Sequence, residues 1–129
     1  MPYYAHIRQD ENGETIYQTV AEHLTGTAAL CREFAADFGA EADGDLMGLA
    51  HDLGKCTDAF QKRLLEGGPV VDHTTAGMLT CIRMKRPSAA ACVAGHHGGL
   101  LDVGNLRTDR AGEATLSGRF KKGVEGHYL

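Results

Sequence analysis

Ala50-His51-Asp52-Leu53-Gly54-Lys55 stands near the middle of this 129-residue chain, and His23, His73 and the pair His96-His97 are set around it at intervals of roughly twenty to thirty residues. Neighbouring elements of a small helical domain could therefore each contribute an imidazole to a common site. Adjacent residues on a helix point about 100° apart, so His51-Asp52 and His96-His97 must straddle such a site or lie at helix ends. Imidazole is the commonest transition-metal ligand, and many histidines with one carboxylate favour manganese, iron, cobalt or nickel, with zinc admissible, over calcium or magnesium. Asp52 has two oxygens and so can bridge two cations about 3.5 to 4 Å apart, the arrangement that clamps attacking and leaving oxygens in phosphoester hydrolysis.

Apolar spacing around this stretch predicts an all-α fold. Ile16, Val20, Leu24, Ala28, Cys31, Phe34, Ala35 and Phe38 recur every three or four residues, which predicts a first helix over Thr15–Phe38 with Gly39 as its stop and His23 on the inward stripe. A second helix is expected over Asp43–Leu53, closed by Gly54, with His51 and Asp52 in its last turn. A third follows the N-cap candidate Thr57, packs Phe60 and Leu64, and breaks at Gly67-Gly68-Pro69. Asp72-His73-Thr74-Thr75 opens a fourth that buries Ala76, Leu79 and Ile82, runs to about Lys85 and is ended by Pro87. Ser88 is read as the cap of a fifth, Ala89–His97, stopped by Gly98-Gly99. Residues 103–129 lack a sustained period and are expected to be loop-rich or partly disordered.

Composition bounds the rest. The length suits a single domain over 1–129, and 43% hydrophobic residues without a long apolar run fit a soluble globular protein with no transmembrane span. Met1–Asp10 has no continuous apolar stretch of a targeting signal, which makes a cytoplasmic location the expectation. Cys31, Cys56, Cys81 and Cys92 lack zinc-knuckle spacing and are read as reduced core residues. A net charge of −4 argues against a broad electrostatic grip on duplex DNA. Arg107, Arg110, Arg119, Lys121 and Lys122 could still line a strand path near the site, or belong to a solvated tail.

Beyond the His-Asp pair, Ala5-His6, Gly48 to Lys55, Asp58-Ala59-Phe60-Gln61, Asp72-His73-Thr74-Thr75-Ala76-Gly77, Gly95-His96-His97-Gly98-Gly99-Leu100 and Asp102 form a more specific set. Over residues 4 to 102 the chain resembles the HD nuclease domain of type I CRISPR interference, a branch of the HD-domain metal-dependent phosphohydrolases. The resemblance implies a compact HD-type helical bundle and one or two divalent transition-metal ions. It implies that His23, His51 and Asp52 hold one metal, and Asp52, His73, His96 and His97 the second. In the family a further aspartate, many residues after the double histidine, completes the set of ligands around the first metal. Here only Asp102 and Asp109 follow, so the chain is expected to be an amino-terminal piece of a longer nuclease domain. The implied substrate is single-stranded DNA, and the implied partners are a helicase domain or subunit and a CRISPR RNA-guided surveillance complex, with no membrane. The sequence lacks a Gly-x-x-x-x-Gly-Lys phosphate loop, which places any ATP-driven motor elsewhere.

Individual residues carry competing readings. Lys55 is assigned a catalytic part beside Asp52, neutralising charge on a phosphoryl oxygen, against a plain helix-terminal cation. Asp72 reads better as a helix N-cap than as a group orienting His73. His6 is either a substrate contact or a surface residue, Gly77, Gly95 and Gly98 permit close packing or turns, and His127 is set aside. Two other functions stay open: a nucleotide or cyclic-nucleotide phosphohydrolase, and a catalytically impaired metal-binding docking module.

Overall fold

Thr19 is where the chain changes habit. In the computed structural model, which describes residues 2–126, strands β1 (Tyr4–Gln9) and β2 (Thr15–Thr19) form an antiparallel hairpin, and helix α1 begins at Val20 and runs to Ala36. The helix expected from Thr15 is therefore five residues shorter at its start. Asp10 Oδ1 accepts bonds from the Asn12 and Glu14 amides, 2.9 Å each, and Gly13 takes φ 79°, so a tight turn pairs Ile16 with Arg8 and Tyr17 with Ile7. β-Branched and aromatic side chains favour that extended pairing. Thr19 and Glu22 then form a reciprocal capping box that satisfies orphan amides at the start of α1. Ile16 lies on the exposed hairpin face, and Phe34 and Phe38 are exposed too; α1 buries Val20, Leu24, Ala28 and Ala35.

Helix α2 (Glu41–Ala50) packs along α1 and stops before the histidine-aspartate pair, three residues short of the expected end. A 3-10 turn, Leu53–Lys55, replaces its last turn. Continuation as an α-helix would aim His51 and Asp52 about 100° apart; the break frees both to face one cleft. Helix α3 (Asp58–Glu66) starts as expected on Thr57, whose hydroxyl accepts from the Phe60 amide.

Helix α4 (Thr75–Arg83) is bracketed by the Asp72 carboxylate and by Lys85 at φ 59°, and it buries Met78 and Cys81 along with Ala76 and Leu79, leaving Ile82 at the margin. Pro87 is not its terminator but the first residue of α5 (Pro87–Gly95), where a missing amide costs nothing, and Ser88 makes no cap. Helix α5 ends at Gly95, leaving His96 and His97 in the turn beyond it.

Ala50, Met78, Leu79, Cys81, Ala89, Ala90, Val93 and Ala94 form the main core between α2, α4 and α5. Small side chains on α5 allow that close approach, and full burial of Met78 and Val93 stabilises the fold by about 1.5–3 kcal/mol each. Gly77 of α4 lies so close to the Ala50 carbonyl that no Cβ would fit. Cys81 is in the core and Cys31 and Cys56 are half-buried, but Cys92 is exposed because only one face of α5 meets the core; all four are free thiols.

The carboxyl-terminal segment holds a helix where loops were expected. Residues 103–114 are irregular, but Thr115 caps α6 (Leu116–Glu125), and Leu116 and Phe120 pack on the main core. Bonds from the Leu116 amide to the Asp102 carbonyl and from the Ser117 amide to the Val103 carbonyl dock it. Among the described residues no helix is long and apolar enough to cross a membrane. His127 lies outside the described residues.

Candidate metal centre

The elements of the bundle place their histidines at one end. His23 sits in the first turn of α1, His51 and Asp52 follow α2, His73 precedes α4, and His96 and His97 follow α5. Asp52, with a side chain 4% exposed, stands between them. Its Oδ2 lies 2.9 Å from His23 Nε2 and 3.3 Å from His51 Nε2. Its Oδ1 lies 3.1 Å from His96 Nε2 and 3.6 Å from both His73 and His97 Nε2. One carboxylate thus has His23 and His51 on its Oδ2 side and His73, His96 and His97 on its Oδ1 side.

Backbone carbonyls fix the tautomers. His51 Nδ1 lies 2.8 Å from the Gly48 carbonyl, His96 Nδ1 2.6 Å from that of Val93, and His73 Nδ1 3.1 Å from that of Val71. A carbonyl only accepts, so each Nδ1 carries its hydrogen and donates. In a neutral ring, each Nε2 then turns a lone pair toward Asp52. Lone pairs converging on a carboxylate need positive charge among them, from protons or from cations. The donor set, imidazole nitrogens and carboxylate oxygens held from behind by carbonyls, is the one divalent transition metals take. Two groups have ligand atoms near enough to share an ion: Asp52, His73, His96 and His97, and His6, His23 and Asp52.

Titration follows from these contacts. Burial opposes charge on Asp52, but bonds from His51 and His96, in their protonated form, and from Lys55 outweigh it and hold the carboxyl far below the usual carboxylate range. Burial likewise opposes charge on His51, yet the Asp52 carboxylate and Gly48 carbonyl push its pKa above the ordinary value. Burial lowers His23, and burial with the neighbouring His96 and His73 lowers His97.

Lys55 is buried, and its Nζ reaches Asp52 Oδ2 at 2.9 Å and the Ala5 carbonyl at 3.4 Å, with the Phe60 ring 5.4 Å away. Phe60 also packs edge-on against His73 at 5.2 Å. Gly54 donates its amide to the His73 carbonyl at 3.2 Å, and a Cβ there would collide with the His73 backbone. The glycine of the His-Asp-Leu-Gly-Lys stretch therefore lets two ligand segments touch. Asp72 is not the N-cap residue of α4, which is Thr74, but from two residues upstream it accepts from the Thr74 and Thr75 amides and from the Thr75 hydroxyl and so ties down the start of the helix.

The sequence left His6 undecided and gave Gln61 no role of its own. The hairpin brings the His6 ring within 4.7 Å of His23, on the Oδ2 side. Gln61 holds the hairpin there: its Oε1 accepts from the Tyr4 amide, and its Nε2 donates to the Tyr4 and Lys55 carbonyls, all at 2.9 Å. The turn-prone Asp10-Glu11-Asn12-Gly13 between Tyr-rich segments was the available signal. Asp109 bonds Thr115 and Asn105 instead of joining the cluster, and Asp102 pairs with Thr115.

Grooves leave the cluster on both sides. His6 borders one with Arg8, Tyr17 and Glu22 of the hairpin and α1, while His73 and His97 border another of about 670 Å³ with Arg119 and Lys122 of α6.

Among known families, the HD domain matches residues 20–117, from the start of α1 into α6. No curated protein matches the chain. HD domains are in general metal-dependent hydrolases, and the His/Asp groups here could hold a divalent ion. A match of that extent, taking in every helix that delivers an imidazole to Asp52, means that the chain belongs to the HD domain family.

Proposed function

We propose that this protein is a metal-dependent phosphodiesterase that cleaves single-stranded DNA, in the manner of the HD nucleases of type I CRISPR interference. The observation that carries the reading is the division of Asp52, with Oδ2 toward His23 and His51 and Oδ1 toward His73, His96 and His97. Asp52 and the imidazoles on its two sides would hold the divalent cations. Divalent ions, when bound, activate water at neutral pH and neutralise charge on the scissile phosphate. Manganese, iron, cobalt and nickel suit the imidazole-rich set best, with zinc admissible.

The chain's own residues do the remaining work. His51, His73 and His96 present Nε2 lone pairs in orientations set by backbone carbonyls. Lys55 positions Asp52 and keeps it ionised. Attack by water on phosphorus expels a sugar oxygen, which takes up a proton; no side-chain nucleophile is needed. The His97 side chain is 55% exposed, so a polymer can reach the cluster from solvent. Grooves on both sides, with Arg8 and Tyr17 at one and Arg119 and Lys122 at the other, favour a strand over a mononucleotide, because single-strand sites combine basic and aromatic side chains. A helicase and a guide-RNA surveillance complex are the partners this reading supplies.

The test is degradation of labelled circular single-stranded DNA with manganese, cobalt, nickel or magnesium added separately, and Asp52→Ala as control. Cleavage that requires a transition metal and vanishes in the variant supports the reading. Hydrolysis of mononucleotides without DNA cleavage would move the substrate to the nucleotide class, and metal binding without turnover would favour a docking module.

A further inference from the structure

We infer that the groove between the His73–His97 side of the cluster and α6 is a phosphate-binding subsite, in which Arg119 and Lys122 hold a phosphodiester next to the one that is cleaved. The inference rests on the phosphodiesterase reading and names the part of the substrate that lies outside the metal cluster. His73 and His97 line both the groove and the Oδ1 side of Asp52, so the two spaces are continuous.

Arg119 is set in place before any ligand arrives. One terminal nitrogen of its guanidinium donates to the Ala94 carbonyl at 2.8 Å and the Thr74 hydroxyl at 3.2 Å. A guanidinium has five N–H donors in a planar fork, so others remain for an anion. Lys122, one helical turn along at i+3, has a side chain 52% exposed, and its Nζ is 3.7 Å from Asp72 Oδ2, beyond hydrogen-bond length. Asp72 is already engaged by the Thr74 and Thr75 amides and the Thr75 hydroxyl. Two cations against one committed carboxylate leave the groove wall net positive, on a chain whose overall charge is −4.

Two glycines, Gly98 and Gly99, also line the groove. A Cβ on Gly98 would meet nothing within 4 Å, and Gly99 takes φ 90°, a conformation that favours glycine. The groove volume of about 670 Å³ lies within the ~300–1,000 Å³ span of ligand sites. A phosphate with its sugar can therefore lie between the glycines and α6.

The experiment measures binding of a fluorescein-labelled oligothymidine to the full chain by anisotropy, in chelator so that no cleavage intervenes, over a salt series. Lys122→Glu is expected to weaken binding at least tenfold and to lower the slope of log K against log salt by about 0.7 per lost phosphate contact. Lys62→Glu, the same charge change on α3, should weaken it less than threefold. Arg119→Lys keeps the charge but loses the fork, and should weaken binding with the fold intact by circular dichroism. Equal losses in Lys122→Glu and Lys62→Glu, an unchanged salt slope in Lys122→Glu, or no binding by the wild type would each overturn the subsite. Hydrolysis of bis(p-nitrophenyl) phosphate by the wild type with manganese tests the phosphodiesterase reading separately, since that ester is too small to need the groove.

Discussion

Lys55 Nζ lies 2.9 Å from Asp52 Oδ2, with the two side chains only 5% and 4% exposed. A pair so buried is costly to break from one side, because the partner is left as an uncompensated charge. Lys55→Met is expected to destabilise the fold by about 3–5 kcal/mol in urea denaturation. Lys55→Met combined with Asp52→Asn should recover a large part of that loss. A double variant as unstable as the sum of the singles would show that the pair does not couple.

Divalent metal should stabilise the folded chain. At a hundred times Kd the gain is about 2.7 kcal/mol, visible as a rise in Tm with manganese, cobalt or nickel. Asp52→Ala should abolish that rise, since Asp52 faces both imidazole sets. A full rise in Asp52→Ala would place the metal elsewhere.

Acid should remove the metal in a definite order. The pKa of His51 is raised, so as pH falls it takes a proton before an ordinary histidine would, from above about pH 6.5. His23 and His97 are lowered and take a proton later than an ordinary histidine would. Metal affinity, followed by calorimetric titration between pH 8 and pH 5.5, should begin to fall above pH 6.5. Affinity flat down to pH 6 would contradict the assignment of His51 as a ligand.

Asp72 makes a separate pH signature. Burial opposes its charge, but bonds from Thr75 and Thr74 outweigh it and hold its pKa below the ordinary 3.8. A depressed carboxylate stabilises the fold above its unfolded pKa and loses that contribution as pH falls through the folded value. Asp72→Ala should cost about 0.5–2 kcal/mol near neutrality. The gap between variant and wild type, read by thermal melts, should stay constant down to about pH 5 and close toward pH 2. A gap that persists at pH 2 would show that the charge is irrelevant to the start of α4.

Gln61 anchors the hairpin through both Tyr4 backbone groups. Gln61→Leu should leave those groups unpaired, at about 1–3 kcal/mol each where buried, and release His6 from His23. Hydrogen exchange should quicken through β1 and β2 while the core around Met78 and Val93 stays protected. Unchanged exchange in the hairpin would show that its own ladder suffices.

The gathering of histidines was legible because their residue type is chemically distinctive at any spacing: His23, His51, His73, His96 and His97 all lie near Asp52. Helix existence was legible wherever apolar residues kept one period, as in α1 to α5. The hairpin was not, because Ile16 and Val20 are spaced as a helix would space them, and only the long-range pairing with β1 decides for a strand. Helix α6 was hidden by Gly118 and Gly123, which look like breakers yet face close neighbours, Glu113 for the first and Thr75 and Leu79 for the second. His6 depended on the hairpin and could not be placed before it. The grooves depend on α6 and the hairpin together, so they were the least readable part.

The Asp52–His96 contact joins positions 44 residues apart. Ligands spread over such a span come together only in the folded chain, so an ion bound there would stabilise the fold by mass action. His97 is made long after His23 and Asp52, so the set around Asp52 stays incomplete until the end of α5 has been synthesised. Any ion that this set holds therefore reports on tertiary structure already closed.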